Sequence, residues 1–233
     1  IFFLFFQVAV FLDLGFEKSG YEIVLANELI PEFAEAHHFS RNRMRLPLPK
    51  EGYHQGSISE FFKGDAADKL SSWVTSYKNK KGSVGFIGGP PCPDFSIAGK
   101  NKGRRGERGR LTGDYFKLIA THRPDWFLFE NVKGLWRTKK HRIFYDEMKN
   151  MMEGEGYIIS DRLINSIEYG VPQDRERIIM IGFLKDRFLE KNKANLSQLK
   201  MPWTKYIKAS REELFGFNWP QKKHFRSKQY RSR

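Results

Sequence analysis

Short, continuous apolar runs recur along this chain, and each closes on polar residues or glycine. The chain opens IFFLFFQVAVFLDLGF. It continues with YEIVLA (21–26) before Asn27-Glu28, VGFI (84–87) before Gly88-Gly89, and WFLF (126–129) before Glu130-Asn131. Two later segments, 157–163 and 177–183, also read as strands. Runs of this length with no polar alternation predict strands buried on both faces. Between them lie helical segments at 14–19 (closed by Gly20), 31–38 (opened by Pro31), 58–77 (broken at Gly64-Asp65), 114–121 and 143–153. The stretch 40–57 has no clean period. Strands alternating with helices build β-α-β units, hence an α/β fold with a mostly parallel sheet and flanking helices. Ligands of such sheets bind beyond the carboxyl ends of the strands, which is where Glu28, Cys92 and Glu130 fall.

Composition narrows the partner. Lys and Arg total 41 against 27 Asp and Glu, a net of +14, which points to a polyanion. The charge is uneven. Residues 184–233 carry 14 Lys/Arg against 4 Asp/Glu, so the preceding 183 residues hold a net of only +4. A second basic cluster, 99–110, is Gly-rich and contains Lys100, Lys102, Arg104, Arg105, Arg108 and Arg110. Such a loop suits phosphate contacts. The single cysteine excludes an internal disulfide framework and a Cys-rich zinc site, and no metal is expected. The opening apolar run is too short to span a bilayer, is interrupted by Asp13, and lacks a basic leader and a small-residue cleavage site. A soluble protein with no membrane partner is expected.

Three places carry chemistry. Cys92 lies in Gly88-Gly89-Pro90-Pro91-Cys92-Pro93, where prolines hold the backbone extended and nearby cations favour the thiolate. Glu130 follows four apolar residues, so its carboxyl should be desolvated and suited to acid–base work. In Gln173-Asp174-Arg175-Glu176-Arg177, a period of two places Gln173, Arg175 and Arg177 on one side, with two guanidiniums converging.

These segments resemble a known family. GGPPCPDFS, FENVKGL and YGVPQDRERIIMIGF, in this order, resemble the catalytic-loop, Glu-Asn-Val and Gln-x-Arg-x-Arg motifs of the DNA (cytosine-5) methyltransferases. YEIVLANE resembles that family's strand leading to a ribose-binding acid, and LDLGFEKSGYEIVLANE is similar to the stretch after its glycine-rich cofactor loop. The resemblance covers about residues 6–183. It implies a Rossmann-like methyltransferase fold that uses S-adenosyl-L-methionine and acts on double-stranded DNA. Cys92 would add to C6 of a flipped cytosine, and Glu130 would bind and protonate N3. Arg175 and Arg177 would hold the base and the adjacent phosphate. Ser96, Lys100, Arg104, Arg105, Asn131 and Gln173 would serve the DNA side. On the cofactor side stand Phe6, Leu12, Glu28 (for the ribose hydroxyls), Pro90 and Pro91. Ser57-Ile58 and Asp65-Ala66 compete for the place of the acid that contacts the adenine.

The chain departs from the family pattern at the cofactor loop. Val8, Val10 and Phe11 stand where glycines are expected, and β-branched residues do not take the positive φ such a turn uses. This predicts weakened cofactor binding. Gln7–Val10 is what a Ser-Gly-Cys-Gly coding stretch yields one base out of frame, so a local frameshift is the expected origin. Residues 1–183 read as the catalytic domain and 184–233 as the basic start of a truncated target-recognition region, with no counterpart of the family's later blocks after Phe183. The remaining expectations are a monomer in a prokaryotic or phage cytoplasm, with a separately acting restriction endonuclease as companion. The alternatives are an inactive DNA-binding remnant and a tRNA cytosine-5 methyltransferase.

Overall fold

The computed structural model describes residues 1–6, 12–80, 82–91, 107–166 and 173–187, with backbone alone for 107–109. Its centre is a 7-stranded sheet in the order β3-β2-β1-β4-β5-β7-β6. The strands are β1 (Phe2–Phe5), β2 (Ile23–Glu28), β3 (Tyr53–Gln55), β4 (Gly85–Gly88), β5 (Trp126–Val132), β6 (Tyr157–Asn165) and β7 (Glu176–Leu184). The helices are α1 (Leu12–Lys18), α2 (Pro31–Met44), α3 (Asp65–Asn79), α4 (Glu107–His122), α5 (Lys133–Arg137) and α6 (Lys139–Gly154), with a 3₁₀ turn at Ile58–Phe62. β1 to β5 pair in parallel; β7 runs antiparallel to both β5 and β6. That single reversal brings the start of β7 to the edge where β1, β2, β4 and β5 end.

The apolar runs are central strands, as their pattern required. Phe3 and Phe5 enter one core with Phe86, Phe127 and Phe129. Phe2 and Leu4 enter the other with Ile87, Trp126 and Leu128. Two glycines make room for rings crossing the sheet. A Cβ on Gly85 would lie 2.1 Å from the Trp126 ring, and one on Gly182 would lie 2.1 Å from the Phe127 ring. The Trp126 indole stacks on Phe16 of α1 at 5.3 Å and 9°.

The structure corrects several boundaries. β2 starts at Ile23 and includes Asn27 and Glu28. α2 runs on to Met44, because its buried face carries His37 and Arg41 in place of apolar residues and so shows no hydrophobic period. Both are about 1% exposed. The His37 Nε2 lies 2.8 Å from Asp13 Oδ2, and Arg41 makes a forked pair with Glu17 and donates to the Pro47 carbonyl. β3 lies inside the unpatterned stretch; it is a short edge strand stapled by Asn27 Nδ2, which donates to the carbonyls of His54 (3.1 Å) and Gly56 (2.8 Å). The last four residues of the basic Gly-rich run, 107–110, form the first turn of α4. The chain also stays tied to the core beyond residue 183: Arg187 Nε donates to Asp125 Oδ1 at 2.9 Å.

Candidate active site

The carboxyl end of β5 holds the central pair. Register places Glu130 opposite Ile179 and Val132 opposite Arg177. The Arg177 Nε therefore reaches Glu130 Oε1 at 2.9 Å, with each side chain 21% exposed. Burial pushes the Glu130 carboxyl above its ordinary range, against the opposing pull of Arg177 and then Arg175. The loop after β4 presses on the same group: a Cβ on Gly89 would sit 3.2 Å from Glu130 Oε2. Asn131, next in sequence, turns inward. Its Nδ2 donates to the Pro90 carbonyl at 3.2 Å and its Oδ1 accepts from the Val132 amide at 2.8 Å. So β5 supplies an acid toward the open edge and, one residue later, an amide that fixes the Pro90-Pro91 segment just ahead of Cys92.

On the other side of that segment lies a cavity of about 630 Å³, within the range of small-molecule sites. Glu28 forms one wall. Its Oε1 accepts the Ile30 amide at 3.0 Å, while its Oε2 is buried with no hydrogen-bond partner. A buried carboxylate oxygen left unpaired is costly unless a ligand donates to it. Apolar surface surrounds it, from Phe6, Ile58, Pro91 and Leu111. Ser57 caps the 3₁₀ turn reciprocally with Glu60, whose Oε1 accepts the Ser57 amide at 2.9 Å. A ribose-like diol against Glu28 and a flat apolar group against Ile58 would fit this donor and surface set.

Residues 5–232 match the family model of the C-5 cytosine-specific DNA methylases. The chain belongs to this family. It is 57% identical over 182 residues to the type II methyltransferase M.NmeDI of Neisseria meningitidis serogroup C, covering 78% of this chain and 43% of that protein. It is 33% identical over 205 residues to M.FnuDI of Fusobacterium nucleatum, covering 85% and 51%. The chain thus spans about half the length of the curated relatives it matches. The crystal structure of a DNMT2 variant from Spodoptera frugiperda superposes with a TM-score of 0.54 at 18% identity, covering 78% of this chain and 49% of that one, and supports the shared fold.

Within this family member, the structure brings together Glu130 and Arg177, and separately Phe6, Glu28, Ser57, Ile58 and Pro91 around the cavity. Other expectations change. Gln173 and Arg175 precede β7 and are exposed; Arg175 is held by its backbone, its amide donating to Asn165 Oδ1 at 3.1 Å, and its charge acts on Glu130 beside that of Arg177. Asn131, grouped above with the DNA contacts, is 1% exposed and spends its amide on Pro90. Leu12 packs into a core cluster instead of the cavity, and the Pro90 carbonyl is turned to Asn131. The cavity takes Ser57-Ile58; Asp65 instead opens α3. Leu29, Ile30, Phe33, Leu111 and Asp114 line the cavity unforeseen. The apolar pair Leu29-Ile30 directly after the acid was the available signal. Cys92, Ser96, Lys100, Arg104, Arg105 and the loop residues Val8, Val10 and Phe11 lie outside the described residues. Among the described residues, no cluster of His, Cys, Asp or Glu could hold a metal ion, and no helix is long and apolar enough to cross a membrane.

Proposed function

We propose that this chain carries the catalytic part of an enzyme that methylates C5 of cytosine in double-stranded DNA. The observation that carries the reading is the Glu130–Arg177 pair at 2.9 Å, set beside the Pro90-Pro91 segment and across from a cavity with an unpaired acid. A flipped base presenting N3 to Glu130 would find a carboxyl whose burial favours its protonated form. Protonation at N3 withdraws electrons from C6, and the Cys92 thiolate adds there. C5 thereby becomes the nucleophilic carbon of an enamine, which takes the methyl group. Loss of the C5 proton then expels Cys92 and restores the ring. Arg177 holds Glu130 in place and balances charge around the base. S-Adenosylmethionine supplies the methyl group, with Glu28 on its ribose and Ile58 and Leu111 against its apolar surface. The glycine-poor loop at Val8, Val10 and Phe11 impairs this chain's cofactor binding. A monomer working in the cytoplasm beside a separate restriction endonuclease belongs to the same reading.

The test is covalent trapping on duplex DNA carrying 5-fluorocytosine, with S-adenosylmethionine present, using the chain and a variant with glycine at positions 8, 10 and 11. An adduct stable to denaturation is expected, stronger in the glycine variant. In that background Cys92→Ser should abolish the adduct and leave salt-sensitive DNA binding intact. An adduct that survives Cys92→Ser, or DNA binding lost with it, would overturn the assignment.

A further inference from the structure

Beyond the catalytic pair, the same edge carries a cationic surface at the elbow between α5 and α6. α5 leaves β5 two residues after Glu130, and α6 begins after the single residue Thr138. β6 is parallel to β5 through β7, so α6 starts at the edge where the candidate site lies. Arg137, Lys139 and Lys140 are exposed there. Nearby, Lys133 and Arg137 share one carboxylate, Glu176, at 2.7 and 2.8 Å. Arg142 is otherwise engaged, lying 3.7 Å above the Trp136 ring and 2.9 Å from Asp146. Among the described residues, Lys139 and Lys140 face no carboxylate of their own.

Their placement runs against local stability. The first turn of a helix favours acids and disfavours cations, because the peptide dipoles present their positive end there. α6 has two lysines and no acid in that turn, and Thr138 provides no side-chain cap. Among the described residues, no ion pair or side-chain cap offsets this arrangement. A local rule broken without structural return marks a functional surface. The surface adjoins Glu176, whose neighbour Arg177 holds Glu130, so a duplex delivering a base to Glu130 would run its backbone past this elbow.

We infer that Arg137, Lys139 and Lys140 bind phosphates of the duplex flanking the target base. This rests on the DNA reading above. It adds a backbone contact from the catalytic body itself, separate from the basic loop beside Cys92 and from the basic tail.

The probe is a labelled 20–30 base-pair duplex of mixed sequence, titrated with the full chain by fluorescence anisotropy across a range of KCl concentrations. Lys139→Glu/Lys140→Glu should weaken binding at least tenfold near 0.1 M salt. It should lower the slope of log affinity against log salt by about 2, roughly one per lost phosphate contact. The same variant should raise the melting temperature, since acids suit that turn, and this separates lost contacts from lost folding. Lys18→Gln/Lys80→Gln, at the opposite edge of the sheet, should leave the slope unchanged. If the chain binds the duplex but the elbow variant binds equally well, the elbow assignment falls and the DNA reading stands. If the unaltered chain shows no salt-dependent duplex binding, both fall. A tRNA that loses the slope while the duplex does not would also overturn the inference.

Discussion

Glu130 shows how one residue is set by its surroundings. Its carboxyl is desolvated at the end of an apolar strand, and the attraction of Arg177 and Arg175 does not fully offset that. The folded protein therefore holds this proton to a higher pH than the unfolded chain does. Stability linked to the group is complete at low pH and is lost as pH rises through the raised folded value. Glu130→Gln lacks this penalty. The melting temperature of the variant relative to the parent should therefore rise as pH climbs from about 4, then level off. Thermal melts between pH 4 and 8 would check it, and a pH-independent difference would show that the carboxyl titrates as it does in the unfolded chain. A group whose ionised form weakens the fold fits a chemical role. Glu130, Arg177 and Glu28 were legible in the sequence because each adjoins an apolar run that fixes its place. Asn131 was not, because the direction of a side chain at a strand end depends on what the neighbouring loop offers, here the carbonyl of Pro90.

At the scale of elements, the helices were legible where they bury apolar residues and illegible where they bury charge. α2 joins α1 through Arg41, whose guanidinium is about 1% exposed and forks onto both oxygens of Glu17 while contacting Asp13 at 3.4 Å. His37 bridges Asp13 and the Tyr53 hydroxyl, tying both helices to β3. Removing one partner of a buried network leaves the others uncompensated. Arg41→Ala should cost about 3–5 kcal/mol, read as a lowered urea midpoint. Arg41→Lys should recover little, since an ammonium cannot reproduce the fork. A cost under about 1 kcal/mol would mean the pair is solvated. Hydrophobic periodicity cannot reveal such a helix, which is why 40–57 showed no pattern. β3 was hidden for a related reason: three residues at a sheet edge, two half-buried and one exposed, carry no apolar signature.

At the scale of the whole molecule, the parallel half of the sheet builds the cavity and the antiparallel return of β7 completes the Glu130–Arg177 pair. The two meet at the ends of β1 and β4, and Phe6, directly after β1, lines the cavity. The chain enters the loop after β1 with Phe6 at φ 56°, already in the left-handed region that favours glycine. Val8, Val10 and Phe11 then follow. A β-branched residue forced to positive φ costs on the order of 1–3 kcal/mol, and a backbone that avoids it cannot approach a ligand as glycine does. Replacing the three by glycine should therefore raise affinity for S-adenosylmethionine at least tenfold in calorimetric titration. Glu28→Ala in that background should remove most of the gain, because the unpaired Glu28 Oε2 is the acceptor the ribose would fill. Micromolar binding by the unaltered chain, with no improvement from the glycines, would show that the loop reaches a competent shape by another route. A gain that survives Glu28→Ala would place the cofactor elsewhere than this cavity.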